Sequence, residues 1–422
     1  PSKRNRHAGD DWRTFALVFY LSGTLSCTKH FQMRAERYRN NVPLVGGITL
    51  TAMLLGLPLA GIVLSGGDAA SYLRFPPRPV VTEHAPFSLP VFVGLAIAGA
   101  FVLAVICVPL SRAALRGKPV VPVARFPWFG WAGLLGGAGA WVVAWSRFGW
   151  IAPVQIHTFT PLWLAYIFLI NGLTYRRTGR CLMTARTPYF VLLFPVSAIF
   201  WWFFEYLNRF VSNWHYIGLV TELPPAHYVL YATVPFSTVL PAVLSTQEWL
   251  RSFPSFCRAF DRPAETERRV PRYVGVELLL LAGTGLLFIG ILPDILFPLV
   301  WVSPLLIWVG MQVASGSRSL IDELAAGRWA RVVAVALGAL VCGLFWELWN
   351  MYSQAKWVYS IPFVHVAKVF EMPMLGFFGY LPFGVQCLLV GDATAGLAGS
   401  RDAYANEASG SGTPMGVEWN LA

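Results

Sequence analysis

The sequence predicts an all-α fold, a polytopic helical membrane protein with about ten transmembrane helices. Of the 422 residues, 56% are hydrophobic and 13% are charged, whereas soluble domains carry about 25% charged residues. Apolar runs that reach the roughly 17–25 residues needed to cross a bilayer recur along the whole chain. Basic residues are concentrated in alternate loops between these runs, as in multi-pass proteins of a bacterial inner membrane.

The N-terminal part, residues 1–41, is a basic leader with the short apolar run Thr14–Cys27. The run is too short for a typical span. A signal peptide would be followed by a cleavage site of small residues, and none follows this run. We expect an uncleaved, partly interfacial segment on the cytoplasmic side. Whether this segment inserts into the membrane stays open.

Ten spans follow the leader, and they group into three membrane units. A two-helix unit occupies 42–126, a first four-helix repeat 127–250 and a second 273–391, with a basic linker at 251–272 and a disordered cytoplasmic tail at 392–422. The spans are predicted at 43–64, 89–110, 127–146, 158–175, 188–208, 228–247, 273–292, 299–315, 331–349 and 373–391.

The charged loops predict the orientation of these spans. Loops 111–126, 176–187, 249–272 and 316–330 hold 16 of the 32 basic residues, against six in the opposite loops, and are therefore predicted to be cytoplasmic. Both termini would then be cytoplasmic. The basic residues predicted on the external side are Arg74, Arg78, Arg147, Arg209, Lys356 and Lys368.

An internal repeat relates spans 3–6 to spans 7–10. The spacing from Glu205 to Glu347 equals that from Asn208 to Asn350. One residue further apart, Trp214-His-Tyr216 corresponds to Trp357-Val-Tyr359. Because each unit has an even number of spans, the sequence predicts a parallel repeat about an axis along the membrane normal.

The repeated Glu and Asn are the leading candidates for a binding or proton-handling site. Glu205 with Asn208, and Glu347 with Asn350, share one helical face at i and i+3. If the pseudo-two-fold axis brings the carboxylates together on the external side, they suit proton handling, cation binding or acid–base chemistry. The alternative is that each Glu accepts hydrogen bonds from Trp or Tyr, or pairs with Arg209 or Lys356, and so holds helices together.

Histidines and further acids on the predicted external side give a weaker signal. His157 and His215 are the two to test first, and Glu371 is a further candidate. No ligand spacing typical of a metal site occurs, so no metal is predicted, and solvated side chains are the alternative. The external set comprises His84, His157, His215, His227, His365, Glu222, Asp294 and Glu371.

The aromatic residues beside the two Glu positions allow two interpretations. Trp214, Tyr216, Trp357 and Tyr359 lie near predicted span ends, where an aromatic belt at the head-group level is common. Because they flank the repeated Glu and Asn, a slot for an isoprenoid, quinone, pigment or other lipid-like ligand is the second interpretation.

The last predicted span begins with an unusual segment. Pro373, Gly376, Gly379 and Pro382 should interrupt or kink its helix. The matching segment at 222–236 is also proline-rich. Broken helices at matching places indicate a binding site in transporters, although a plain kink is equally compatible.

These motifs, Phe-Trp-Glu-x-x-Asn, Lys-Trp-x-Tyr, Phe-Glu-Met-Pro and Gly-Tyr-Leu-Pro-Phe, resemble a group of bacterial polytopic membrane proteins of unassigned activity. The resemblance is strongest in the last third of the chain and implies no activity or cofactor. P-loop, zinc-protease and RNA-binding motifs are absent from the sequence, so nucleic acid is not a predicted partner.

Three functions remain open from the sequence. The first is binding or transport of a small or lipid-like ligand at an external site of Glu, Asn and Trp residues. The second is an enzyme that acts on a lipid or isoprenoid, with one Glu as acid and its mate as base. The third is a structural subunit of a larger membrane complex. Membrane lipids are predicted partners in each case.

Overall fold

The computed structural model describes residues 44–77, 82–115, 122–218, 223–262 and 269–398. Within these ranges the chain is mostly helical, and residues Asn40–Thr394 form one compact unit. The predicted leader, residues 399–422 of the predicted tail, and Glu222 lie outside the described residues.

Long helices occupy each of the ten segments in which the sequence predicts a span. Their apolar composition favours helices, which satisfy their own backbone hydrogen bonds. They are α1 (Leu44–Leu64), α3 (Leu89–Leu115), α4 (Trp128–Trp145), α6 (Phe159–Thr178), α8 (Thr187–Val211), α9 and α10 (Pro225–Phe236 and Val239–Arg251), α12 (Arg272–Phe288), α14 (Leu299–Ala314), α16 (Ala330–Met351) and α17 (Tyr380–Leu397).

Shorter elements connect these helices. Two 3₁₀ turns, Gly149–Ile151 and Met374–Gly379, precede α5 and α17. The short helices are α2 (Ala69–Leu73), α5 (Ala152–Gln155), α7 (Leu182–Ala185), α11 (Pro254–Phe260), α13 (Pro293–Leu296) and α15 (Leu320–Ala325). The strands are β1 (Trp214–Gly218), β2 (Ala355–Tyr359), β3 (Lys368–Val369) and β4 (Met372–Pro373).

Six of the described helical segments are long and apolar enough to cross a membrane. The segment Gly149–Gln155 together with α6 makes a seventh if this pair, bent by 69°, counts as one span. These helices establish a helical membrane protein. The six are α1, α3, α8, the pair α9–α10, α16, and α17 with the turn before it.

Two helix hairpins, α4 with α6 and α12 with α14, pack by close approach at glycine. A Cβ on Gly133 would lie 2.6 Å from the carbonyl oxygen of Ala165, and one on Gly172 would lie 2.6 Å from Cα of Gly130. In the second hairpin, a Cβ on Gly275 would lie 2.6 Å from the carbonyl oxygen of Gly310. Glycine is needed at these contacts because any side chain would separate the helix backbones.

The start of the last long helix is irregular, at the proline and glycine positions that the sequence singles out. The segment Met374–Gly379 forms a 3₁₀ turn, and α17 begins only at Tyr380. The matching helix in the first half is divided into α9 and α10 at residues 237–238. Proline removes a backbone donor in both segments, which weakens regular helix there.

Strands β1 and β2 form a two-stranded antiparallel ribbon, an element that an all-α prediction omits. Trp214 pairs with Tyr359, His215 with Val358, and Tyr216 with Trp357. Each strand follows directly after one of the Glu-bearing helices, α8 or α16. Directly opposed residues point to the same face of a ribbon, so the two Trp and two Tyr share one face.

Candidate functional site

Glu205 lies in a closed shell of aromatic donors, which we call the Glu205 cluster (Glu205, Trp201, Trp214, Tyr216). Its Oε1 accepts hydrogen bonds from Trp201 Nε1 at 3.1 Å, Trp214 Nε1 at 3.0 Å and Tyr216 Oη at 2.6 Å. The residue is 4% exposed. Trp201 is one turn earlier on α8, whereas the other two donors come from β1. The carboxylate therefore fixes the ribbon to the helix.

Glu347 occupies the matching place in the second half, in the Glu347 cluster (Glu347, Tyr359, Tyr380, Trp357). Its Oε1 accepts from Tyr359 Oη at 2.6 Å and from Tyr380 Oη at 2.8 Å. Trp357 Nε1 donates to Tyr359 Oη at 2.8 Å instead of to the carboxylate. Glu347 is fully buried, and its Oε2 has no hydrogen-bond partner among the described residues.

One exchange of residues explains why the two shells differ. The position that matches Trp201 is Gly343, at the spacing that separates the two Glu. A Cβ on Gly343 would lie 2.5 Å from the ring of Tyr380. The absence of a side chain there admits the Tyr380 ring, whose hydroxyl replaces the indole donor of Trp201. In both halves the buried carboxylate therefore has at least one hydrogen-bond donor besides the ribbon tyrosine.

Asn208 and Asn350 each hold the backbone of the Trp that begins the aromatic motif. Asn208 Nδ2 donates to the Trp214 carbonyl at 2.7 Å, and its Oδ1 accepts from the Trp214 amide at 3.3 Å. Asn350 makes the same pair of bonds to Trp357, at 2.8 and 3.0 Å. Both amide groups are thereby used within the protein and anchor a strand to the end of a helix.

The tyrosines of the ribbon remain hydrogen-bond donors over the physiological pH range. Burial, and then the charge of Glu205, raises the pKa of Tyr216 well above its usual range. Burial and the charge of Glu347 raise the pKa of Tyr359 in the same way. The neutral phenol is therefore the stable form beside each carboxylate.

The structure gives the two carboxylates separate partners. No residue that donates to Glu205 also donates to Glu347 among the described hydrogen bonds. Aromatic packing joins the two clusters: Trp201 and Trp346 have ring centroids 5.7 Å apart, and Phe383 packs against both rings. The ribbon covers both carboxylates with one aromatic face.

The other predicted site residues make no described hydrogen bond to these carboxylates. His215 alternates with Trp214 and Tyr216 and so faces the opposite side of the ribbon; burial lowers its pKa. Glu371 forms an ion pair with Lys356 Nζ at 2.6 Å. His157 Nε2 lies 2.5 Å from Tyr231 Oη.

One of the histidines predicted on the external side pairs with an acid from the same predicted set. His84 Nδ1 lies 2.6 Å from Asp294 Oδ1, and this contact ties the segment before α3 to α13. Among the described residues no group of three or more His, Cys, Asp or Glu side chains is placed to hold a metal ion.

A cavity of about 520 Å³ lies on the face of α8 next to the Glu205 cluster. Its walls are α1, α2, α8, α14 and α17, and it has the size of a small-molecule or lipid site. Apart from Arg209, the only charged residue, the lining is mainly apolar and aromatic. It comprises Leu50, Thr51, Leu54, Leu55, Tyr72, Leu73, Phe75, Ile199, Phe200, Trp202, Phe203, Tyr206, Arg209, Pro304, Leu305, Trp308, Gln386, Leu389 and Val390.

Two features of the site escaped the sequence reasoning. Tyr380 as a partner of Glu347 could have been found from the exchange of Trp201 for Gly343, since a glycine at that spacing leaves space for another donor. The cavity had no such signal, because residues from five helices form its walls. The sequence predicted Arg209 as an external basic residue and as a possible ion-pair partner of a Glu, not as part of a cavity.

Comparison of the chain with models of protein families, with curated proteins and with solved structures finds no match.

Proposed function

We propose that this protein is an integral membrane protein that binds a lipid-like ligand in the cavity beside the Glu205 cluster. The observation that carries the proposal is an apolar, aromatic-lined space of about 520 Å³ among helices of the membrane region. Sites of this size, with few polar groups, are typical of ligands with large apolar parts.

The two Glu–Asn pairs act in this proposal as the frame that builds the site. Glu205 and Asn208 hold β1 over the end of α8, and the same helix forms one cavity wall through Trp202 and Tyr206. Trp202 Nε1 donates to Thr233 Oγ1 at 3.0 Å, which holds its ring in place. A rigid wall lowers the entropic cost of binding.

Photo-crosslinking tests the proposal. The full chain in phosphatidylcholine nanodiscs would be irradiated with an equal mixture of phosphatidic acid and diacylglycerol that carry the same diazirine tail. We expect labelled peptides from the cavity walls of α1, α8 and α14. Leu54→Trp, which fills the cavity, should reduce this labelling by about tenfold, or about 1.4 kcal/mol in binding free energy.

The matched control places the same side chain on a surface away from the cavity. Leu281 on α12 is 69% exposed and does not line the cavity. Leu281→Trp should leave the labelling unchanged, and thermal unfolding would verify that both variants fold. Uniform labelling of all apolar helices, unaffected by Leu54→Trp, would refute the proposal.

We propose further that the membrane region has ten helices arranged as two parallel four-helix repeats after a two-helix unit. Helices in all ten predicted segments support this. The pairings Trp214–Tyr359 and Tyr216–Trp357 also support it, because exchanging the two halves leaves the ribbon register unchanged. Cysteine accessibility in the loops would test the count and the predicted cytoplasmic side of both termini.

A structural role in a larger membrane complex is the second candidate function. The observation that favours it is the use of both Asn amides and of the Glu205 carboxylate within the protein. In such a protein, substitution of the Glu and Asn residues would disrupt the assembly of the complex and would release no ligand. Gentle solubilisation followed by native mass spectrometry would separate the two candidates.

A further inference from the structure

We propose that the ligand of the cavity is a lipid with an anionic head group, phosphate or carboxylate, and that Arg209 binds this group. This inference rests on the proposed function and names the class of ligand. The apolar part of the lipid would occupy the wall formed by α1, α8 and α14, while the head group lies at the Arg209 end.

Arg209 is a guanidinium with unused donors in the membrane region. A guanidinium has five N–H donors, yet only Nη1 of Arg209 makes a hydrogen bond, to the carbonyl of Tyr72. Nε is buried without a partner among the described residues. The charge of Glu205 attracts Arg209, but Oε1 of Glu205 already accepts from Trp201, Trp214 and Tyr216.

Among the described atoms of the cavity lining, those that are buried without a hydrogen-bond partner are donors. Tyr206 Oη donates to the Leu55 carbonyl at 2.5 Å, and Gln386 Nε2 donates to the Trp301 carbonyl at 2.6 Å. The described lining atoms that are buried without a partner are Arg209 Nε and Trp308 Nε1, both N–H groups. A ligand that accepts hydrogen bonds and carries negative charge complements this lining.

The position of Arg209 along α8 fits a head group at one end and a tail along the helix. Arg209 lies in the last turn of α8, and Ile199 lines the same cavity ten residues earlier. At 1.5 Å per residue the cavity follows α8 for about 15 Å, half of a hydrocarbon core of about 30 Å. Arginine near a helix end lies at the depth of lipid head groups.

The residue of α16 that matches Arg209 indicates that the arginine has a role specific to α8. At the spacing of the two Glu residues, Arg209 corresponds to Met351. Both helices carry the Glu and Asn of the frame, so the frame itself does not require an arginine. The positive charge therefore belongs to the cavity and not to the repeated motif.

The test separates the two components of the crosslinking mixture. In phosphatidylcholine nanodiscs, phosphatidic acid and diacylglycerol with the same diazirine tail would be titrated individually, and labelled cavity peptides quantified. We expect phosphatidic acid to label the cavity at concentrations at least about tenfold lower, which corresponds to about 1.4 kcal/mol. Arg209→Gln should remove this preference, and Arg209→Lys should retain part of it because the charge remains.

Arg147→Gln is the matched control. Arg147 also donates to backbone carbonyls, those of Ala144, Ser146 and Tyr352, but it does not line the cavity. This variant should keep the preference for phosphatidic acid, and thermal unfolding would verify the fold of every variant.

Three results would overturn the inference. Equal labelling by the two lipids, unchanged in Arg209→Gln, would refute the preference for an anionic head group but would leave the proposed lipid site intact. Displacement of phosphatidic acid by excess inorganic phosphate alone would indicate a soluble anion instead of a lipid. Absence of cavity labelling by either lipid would refute the proposed function together with this inference.

Discussion

The Glu205 and Glu347 clusters have the same frame and different donors. In both, an Asn one turn after the Glu hydrogen-bonds the backbone of a Trp. The Tyr two residues after that Trp donates to the carboxylate at 2.6 Å. Glu205 then receives two indole donors, whereas Glu347 receives the hydroxyl of Tyr380. The Glu, Asn and Tyr interactions are therefore repeated, whereas each half supplies its own additional donors to the carboxylate.

The two Glu-bearing helices differ in how much of each is buried within the protein. In the most apolar window of α8 39% of residues are buried, against 61% in α16. The partly uncovered face of α8 carries Trp202, Tyr206 and Arg209 along the cavity. The proposed ligand would therefore lie against α8 and not against α16, and the Glu347 cluster would mainly support the ribbon.

The largest expected effect comes from the glycine that distinguishes the two clusters. Gly343→Ala would place a Cβ 2.5 Å from the Tyr380 ring. Overpacking of this kind costs about 1–3 kcal/mol, and displacement of Tyr380 would weaken a hydrogen bond worth about 1 kcal/mol. We expect a clear fall in the thermal unfolding midpoint in detergent.

Gly136→Ala is the matched control for this substitution. No atom lies within 4 Å of a Cβ at Gly136, which is also inside a helix. Alanine should be neutral there or stabilising by up to about 1 kcal/mol. Equal midpoints for the two variants would contradict the steric explanation for the Tyr380 shell.

Substitution of the two carboxylates should lower the stability of the protein by different amounts, and this difference is the smaller effect. Glu205→Gln weakens three hydrogen bonds to one oxygen, and bonds to charged groups are stronger than neutral ones by about 1 kcal/mol. Glu347→Gln weakens two and replaces an Oε2 that has no described partner. We expect Glu205→Gln to be the less stable variant by about 1–2 kcal/mol.

Equilibrium unfolding of both variants in the same detergent would measure this difference. If Glu347→Gln were the less stable variant, the unpartnered oxygen would have a role in stability that its described contacts do not show. Loss of crosslinking in a folded Glu347→Gln variant would instead connect that carboxylate to ligand binding.

The smallest effect concerns the ribbon tyrosines at alkaline pH. Because burial raises the pKa of Tyr216 in the folded state above its unfolded value of about 10, folding favours the neutral phenol. The stability from this group is complete below pH 10 and is lost as the pH rises further. The unfolding midpoint should therefore fall as the pH is raised above about 10.

Tyr216→Phe should make this fall shallower, although it lowers the midpoint at neutral pH by the loss of the bond to Glu205. Tyr273, which is 63% exposed on α12, provides the control. Tyr273→Phe should leave the alkaline profile unchanged. A profile that is identical in Tyr216→Phe and the unmodified protein would contradict the assignment.

The helices could be predicted because apolar runs and proline–glycine breaks are local signals. The start of α17 at Tyr380, after a turn over Met374–Gly379, follows the residues that the sequence marked. The pairing of Glu with aromatic donors was one of two interpretations of the same motif. The sequence could not choose between them, because Trp and Tyr at a span end suit a belt, a ligand slot and a hydrogen-bond shell alike.

The site residues show where local reasoning stops. Glu205, Asn208, Trp214 and Tyr216 belong to one continuous segment, so their association follows from a helix that turns back as a strand at Ser212. His215 lies within the same segment, yet the alternation of a strand turns it to the opposite face. The motif predicted the neighbourhood, and the strand geometry decided which side chains meet the carboxylate.

The sequence by itself determined the helical membrane class, the recurrence of Glu, Asn, Trp and Tyr, and the breaks at proline. These depend on composition and on short spacings, which one segment carries alone. The tertiary structure decided that β1 pairs with β2, that Tyr380 fills the space above Gly343, and that Arg209 faces an apolar cavity. Those features need contacts between segments far apart in the chain, whose geometry follows only from how the helices pack.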